Sequence, residues 1–331
     1  MAKPDLDVVG IGNAIVDVLA QADDQLLVKE GIAKGAMTLI DARRAESLYA
    51  AMGPAVEVSG GSAANTIAGV ASLGGKAGFI GRVKNDELGR VFAHDIRALG
   101  VHYDTAAAER GAPTARCLIL VTPDAQRSIS TFLGASQDLG PEDIEPALVS
   151  RGAVVYLEGY LWDPPRAKEA FRKAIEIARR NGRKVAFSLS DPFCVDRYRH
   201  EFRALIEERA IDILFANERE IEALYEVKSF DDALQIARGK LPIAALTRSE
   251  KGSVVLANGE VHVVDAEPVA RVVDTTGAGD LYAAGFLYAL ARGKDFKTCG
   301  RLGAICAAEV ISHIGPRPET SLKKLAAQKG L

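Results

Sequence analysis

The sequence predicts an α/β fold, a mostly parallel sheet covered on both faces by helices. Short apolar or β-branched runs alternate along the chain with helical stretches, and that alternation implies parallel strands joined by crossover helices. The chain's 331 residues, 48% hydrophobic and 26% charged, are enough to bury a sizeable core in one large domain with an appendage or in two domains. A glycine-rich turn also joins a strand-like run to a helix-like run, and ligands of such sheets bind beyond the carboxyl ends of the strands.

Taken in order, residues 7–11 read as the first strand. Gly10-Ile11-Gly12-Asn13 follows it, but Ile15 occupies the place of the third glycine of a dinucleotide fingerprint, so that reading is rejected. Residues 15–58 break the rhythm, and a small-residue helix follows at 63–73. A second break at 113–133 contains two runs, 116–122 and 127–132, that look like a hairpin around Pro123-Asp124-Ala125-Gln126. Strands are then expected at 153–157, 185–189, 211–215 and 243–247, with helices at 165–181 and 230–239. The run 261–273 is strand-like and the run 281–291 helix-like. No internal repeat or low-complexity linker is visible.

Two glycine-bearing segments carry the chemistry. In Asp274-Thr275-Thr276-Gly277-Ala278-Gly279-Asp280, the glycines remove side chains that would keep an anion away. The first N–H groups of the following helix point outward with a positive partial charge, which suits a phosphoryl group. Asp280 then faces both the anion and an attacking nucleophile, where a general base must sit; alternatively, it is simply a helix N-cap. The second segment is Gly60-Gly61-Ser62-Ala63-Ala64-Asn65, followed by Leu73-Gly74-Gly75, Ile80-Gly81-Arg82 and Asn85-Asp86-Glu87-Leu88-Gly89. Its glycines let a ligand approach the backbone, and Asn65 can both donate to and accept from a sugar hydroxyl. The plain alternative is a tight strand-to-helix turn.

Together these segments resemble the two signatures of the ribokinase-like carbohydrate and nucleoside kinases, the phosphofructokinase B family, in family order and at family-like separation. The resemblance runs from about Val8 to Pro318. It implies a ribokinase-like fold with a small β-sheet lid, assigned here to 14–58 and 113–133, over an α/β nucleotide-binding core at 1–13, 59–112 and 134–331. It implies Asp280 as the base, Gly277, Ala278 and Gly279 as the anion hole, and Gly60, Gly61, Ser62 and Asn65 against the substrate. Asn13 and Asp17 match the family's Gly-Asn-x-x-x-Asp pattern, and a carboxylate at Asp17 can accept from two ribose hydroxyls. Arg127 resembles a lid arginine that closes over phosphates, although a solvated hairpin arginine fits the same place.

The resemblance further implies ATP and Mg²⁺ as cofactors, with a monovalent cation left open. Asn217 and Glu220 match an Asn-x-x-Glu motif that organises Mg²⁺ through water, and they also read as a helix capping box. Thr247, Gly252 and Thr275 fall at nucleotide contacts. Ser249 stands where the family's nucleotide turn has its first glycine, and Ser188 where relatives often have asparagine. The Gly-Asn-x-x-x-Asp start, the Gly-Gly-Ser-x-x-Asn turn and Asp212-Ile213-Leu214-Phe215-Ala216-Asn217-Glu218 look most like adenosine kinases. The expected reaction is therefore phosphorylation of the 5′-hydroxyl of adenosine. A free sugar (ribose, fructose or 2-keto-3-deoxygluconate), inosine or guanosine are the alternative acceptors. Phe132, Tyr160 and Trp162 are candidates for stacking on a base, though such residues are more often core.

Other classes fit less well. A net charge of −3 with mixed signs and few aromatics gives no nucleic-acid groove. Cys117, Cys194, Cys299 and Cys306 lack C-x-x-C spacing or clustered histidines, arguing against zinc and a disulfide framework and for a reducing, cytoplasmic setting. The amino terminus lacks signal-peptide character, and the apolar run 281–291 is shorter than the roughly 20 residues of a membrane helix. No P-loop, H-R-D loop, H-E-x-x-H or G-x-S-x-G motif is present. The partners expected are ATP and a small nucleoside or sugar, with no nucleic acid and no membrane, for a monomer or homodimer. A nucleotide-binding protein without turnover is the non-enzymatic alternative.

Overall fold

A computed structural model describes residues 3–124 and 126–331. Met1 and Ala2 at the amino terminus, and Ala125 of the expected hairpin turn, lie outside the described residues. The strands are β1 (Leu6–Ile11), β2 (Ile15–Gln21), β3 (Met37–Leu39), β4 (Ala55–Gly60), β5 (Ala77–Ile80), β6 (Ala115–Val121), β7 (Arg127–Phe132), β8 (Gly152–Glu158), β9 (Lys184–Ser188), β10 (Ile213–Asn217), β11 (Ile243–Thr247), β12 (Ser253–Ala257) and β13 (Glu260–Val264). The large sheet has the order β13-β12-β11-β10-β9-β8-β1-β5. Its strands from β5 to β11 pair in parallel, and β12 and β13 add an antiparallel edge.

Successive residues of these strands enter two different cores. Val8, Tyr156, Ala186, Phe215 and Val255 pack on one side, and Val9, Val155, Phe187, Leu214 and Leu256 on the other. Both faces are covered, which is why the strand runs are apolar throughout. The helices Ser62–Ser72, Ala278–Ala291 and Phe296–Val310 cover the first side. Pro165–Arg180 and Pro192–Glu207 cover the second. The small residues of Ser62–Ser72 serve close helix packing, since a Cβ on Gly69 would come within 2.6 Å of the Ala284 methyl.

The second sheet is small and separate, with the order β3-β7-β6-β2-β4. The expected hairpin is the antiparallel pair β6–β7. On one face Val16, Val18, Leu118 and Leu120 pack with Leu27 and Leu48 of the helices Asp24–Lys29 and Ala42–Ala51, which explains the irregular patterning there. Asp17, Cys117 and Thr131 share the opposite face in register. The neighbouring row on that face, Val56, Leu19, Ile119, Ile129 and Met37, is apolar, with its outer members Val56 and Met37 exposed.

One strand expectation fails: the run 261–273 is β-structure only to Val264, and the segment after it is irregular. Pro268 lacks an N–H for ladder pairing there. Among the described residues, no helix is long and apolar enough to cross a membrane. At the carboxyl edge of the large sheet, β8, β9, β10 and β11 end on Glu158, Ser188, Asn217 and Thr247, and β1 leads into Gly12-Asn13. The connections leave β1 towards β5 on one side and continue from β8 on the other, so the crevice between β1 and β8 is the switch point where α/β sheets bind ligands.

Candidate active site

Asp280 is not the cap of its helix. The cap of Ala278–Ala291 is Gly277, in the left-handed region at φ +80°, and Asp280 lies in the first turn. A Cβ on Gly277 would approach within 2.8 Å of Pro316 Cα, so a side chain is excluded on two counts. The Asp280 carboxylate instead accepts from Ser62 Oγ at 2.6 Å and from Asn65 Nδ2 at 3.0 Å. Burial raises its pKa above the ordinary carboxylate value, while these two hydrogen bonds and the charge of Arg317 oppose the rise.

Among the described residues, the amides of Gly277, Gly279 and Asp280 have no acceptor, whereas Ala278 N–H donates to Thr275 O at 3.2 Å. The unoccupied donors at this helix start are therefore those of 277, 279 and 280, which corrects the expected trio 277–279. Gly279 faces open space, with nothing within 4 Å of the point where a Cβ would stand. Thr275 is exposed beside them.

The glycines of the second segment make room for the chain itself. A Cβ on Gly60 would overlap the Asp17 carboxylate, and one on Gly61, at φ +99°, would overlap Asn13 O. The fold itself therefore requires glycine at both positions, a demand separate from the expected approach of a ligand to the backbone. Asp17 is buried rather than on the surface, and that burial pushes its carboxyl up to about 6 against the charges of Arg317 and Arg127. Asn65 Oδ1 is buried without a donor among the described residues, which leaves an acceptor open beside Asp280.

Asn13, expected against the substrate, is engaged by neighbouring side chains. Its N–H and Nδ2 donate to Glu158 Oε1 at 2.8 and 2.6 Å, and its Oδ1 accepts from Ser136 Oγ at 2.7 Å. Glu158 was not anticipated. Fully buried, it also accepts from Ala63 N at 2.6 Å, tying β8 to the start of the helix that carries Ser62 and Asn65. Burial pushes its carboxyl up to about 7. The available signal was a lone carboxylate closing an apolar strand, with Gly12 leaving room for it.

Arg127 crosses from the small sheet to the glycine turn. Its Nη1 pairs with Asp274 Oδ2 at 2.5 Å and donates to Thr276 Oγ1 at 3.3 Å, while Nε and Nη2 are buried without partners among the described residues. The solvated-arginine alternative is thereby excluded. Arg317 is a second cation that sequence reasoning missed, donating to Ser59 and Ala64 next to Gly60 and Asn65.

Asn217 and Glu220 form the capping box: Glu220 N donates to Asn217 Oδ1 at 2.9 Å, and Asn217 N to Glu220 Oε2 at 2.9 Å. Asn217 Nδ2 also donates to Glu220 Oε1 at 2.6 Å. Each carboxylate oxygen already has one donor, and among the described residues no group of three acidic, cysteine or histidine side chains could hold a metal. Such a donor set fits Mg²⁺ held through its waters, not a protein cage. Thr247 ends β11, and Gly252, at φ +83°, sits where a Cβ would overlap Val264 O. Ser249 adopts φ +52°, the conformation its glycine counterpart would take freely. Ser249→Gly is expected to stabilise the fold by up to about 1 kcal/mol, strain relief net of glycine's entropy; a lower melting temperature would contradict this.

The aromatic candidates separate. Trp162 is core, packed among Phe171, Phe187 and Phe202 with Nε1 donating to Glu201. Phe132 pairs in register with Arg116 and points to the face of the small sheet opposite Asp17, which removes it from a base slot there. Tyr160 is partly exposed at the carboxyl end of β8, at the mouth of the crevice. Ser188 Oγ accepts from Ser190 N at 3.2 Å.

The chain is similar to known proteins over most of its length. The description "pfkB family carbohydrate kinase" matches residues 27–323. The crystal structure of adenosine kinase from Sinorhizobium meliloti is 54% identical, covering 98% of this chain and 99% of that one with a TM-score of 0.90. A probable sugar kinase from Rhizobium etli CFN 42 is 52% identical, covering 99% of each chain with a TM-score of 0.92. 5-Dehydro-2-deoxygluconokinase of Halalkalibacterium halodurans is 30% identical over 76% of this chain and 79% of its own length. The chain belongs to the pfkB family of carbohydrate kinases, phosphotransferases that act on a hydroxyl group.

Proposed function

We propose that the protein transfers the γ-phosphoryl group of MgATP to the 5′-hydroxyl of adenosine, giving AMP and ADP. The observation that carries the chemistry is the Asp280 carboxylate, held by Ser62 and Asn65 beside the unoccupied amides of Gly277, Gly279 and Asp280. Asp280 takes the hydroxyl proton as the oxygen forms its bond to phosphorus, and the bond to the bridging oxygen breaks with its electrons leaving on ADP. The free amides stabilise the transferring group, and Arg127 adds positive charge from the small sheet, which acts as a lid and excludes water. Asp17 and the open acceptor of Asn65 orient the sugar. Asn217 and Glu220 would hold Mg²⁺ through water, and Thr247, Gly252 and Thr275 border the nucleotide. Bound Mg²⁺ would neutralise phosphate charge.

Adenosine is favoured by two features. The apolar row from Val56 to Met37 lies one step along the small sheet from Asp17, where a base attached to a ribose held by Asp17 would rest. The Sinorhizobium adenosine kinase also matches over nearly the whole chain. A sugar kinase is the second reading, supported by 5-dehydro-2-deoxygluconokinase at 30% identity. ADP release with MgATP against adenosine, inosine, guanosine, ribose, fructose and 2-keto-3-deoxygluconate decides between them. Turnover confined to adenosine is the expected result; turnover on a free sugar alone transfers the chemistry to the second reading, and silence on every acceptor overturns both.

A further inference from the structure

Residues 315–317 form a strap across the site. Gly315 N–H donates to Asp274 Oδ2 at 3.0 Å, and Pro316 fills the space against Gly277. The Arg317 guanidinium then reaches between the end of β4 and the helix Ser62–Ser72. It donates to Ser59 O from Nε at 3.0 Å and Nη2 at 2.7 Å, to Ser59 Oγ at 3.2 Å, and to Ala64 O from Nη1 at 2.9 Å. Every one of these acceptors is neutral. Among the described residues the guanidinium's charge is therefore not spent in a direct ion pair, and it acts on the carboxylates around it, those of Asp17, Asp95 and Asp280. Burial lowers the Arg317 pKa to about 10, which still leaves it charged at neutral pH.

We propose that Arg317 is a positioning residue whose charge keeps Asp280 and Asp17 as carboxylates at neutral pH, so that the base is ready to accept a proton. This rests on the reading of Asp280 as base. The groups that face Asp17 and Asp280 come from several elements: Cys117 from β6, Arg127 from β7, Tyr156 and Glu158 from β8, Tyr160 just after it, Asp95 from the helix Glu87–Ala98, and Arg317 itself. Without Arg317 the site would hold two neighbouring carboxylates, Asp17 and Asp280, with Arg127 already paired to Asp274. Like charges in a desolvated site favour protonation.

The test is the pH dependence of kcat/KM for ADP release, with MgATP and whichever acceptor turns over, in the wild type, R317Q and R317K, with D280N as control. Removing the charge should move the acid limb of R317Q up by about one pH unit or more, with activity recovering at high pH. R317K restores charge without the fork and should keep the limb near its wild-type position. A folded R317Q of lower activity but unmoved limb marks a merely structural role and overturns the proposal. If R317Q does not fold by circular dichroism, R317K decides: a limb that stays in place supports the charge role, and one displaced upward by about one pH unit with the charge present overturns it. Full turnover of D280N would sink the base assignment itself, whereas an inactive D280N with an unmoved R317Q limb sinks only the role of Arg317.

Discussion

Replacing Asp280 by asparagine is expected to lower kcat by a factor on the order of 10²–10⁴ without unfolding the protein. The substitution keeps the shape of the side chain, and Ser62 Oγ can still donate to the amide oxygen. It removes a carboxylate whose burial raises its pKa, so the folded state loses no favourable charge that would threaten stability. What disappears is the proton acceptor beside the unoccupied amides of 277, 279 and 280. Because those amides and Arg127 remain, the KM for ATP should change far less than kcat, as befits a group that acts in the transition state. Steady-state kinetics alongside a thermal melt check this. A folded variant with near-full turnover would show that proton transfer to Asp280 does not limit the reaction.

The strands β1, β8, β9, β10 and β11 were legible because each is a short apolar run, and their alternation with helical stretches pointed to parallel pairing, whereas β5, β12, the helix Pro192–Glu207 and the order of strands in the sheet were not read. The hairpin of β6 and β7 was legible from the turn residues between them. Local sequence left Asp280 between a general base and a helix N-cap, and the resemblance to the kinase family, not the turn itself, favoured the base. What stayed hidden was pairing over long distances. Glu158 meets Asn13 across 145 positions and Arg317 meets Ser59 across 258, and nothing near either residue announces its partner. The same blindness hid a second demand on Gly60 and Gly61. Their small size is required by Asp17 and Asn13, which are brought alongside by the pairing of β2 with β4. Phe132 was misplaced for a simpler reason: strand period fixes that neighbours alternate, and only the register with Arg116 says which face is which.

Stability without ligands is expected to fall as the pH rises from about 5 to about 8. Burial pushes Asp17 up to about 6, and Glu158 and Glu220 up to about 7. Between the ordinary carboxylate values and these raised ones, the native state holds protons that the unfolded chain has already lost. The slope of unfolding free energy against pH is then negative. The stability is fully present below the ordinary values and is lost as pH climbs through the raised ones. At about 1.4 kcal/mol for each pH unit that separates a raised value from its ordinary one, the three groups together contribute on the order of 5–10 kcal/mol. Towards lower pH the opposite sign takes over, because Glu218, held down by its hydrogen bonds to Arg248, loses that partner's benefit on protonation. Melting temperatures at pH 5, 6, 7 and 8 measure the decline, and Glu158→Gln should flatten part of it by removing one titrating group, at a pH-independent cost because the amide nitrogen would meet an N–H of Asn13 or Ala63. A melting temperature that is level or rising over this range would mean that the donors from Asn13 and Ala63 outweigh burial, leaving Glu158 ionised in the fold. Glu158 would then be a fixed negative charge behind Asp280, and the burden of keeping that base deprotonated would fall still more heavily on the cations of the site.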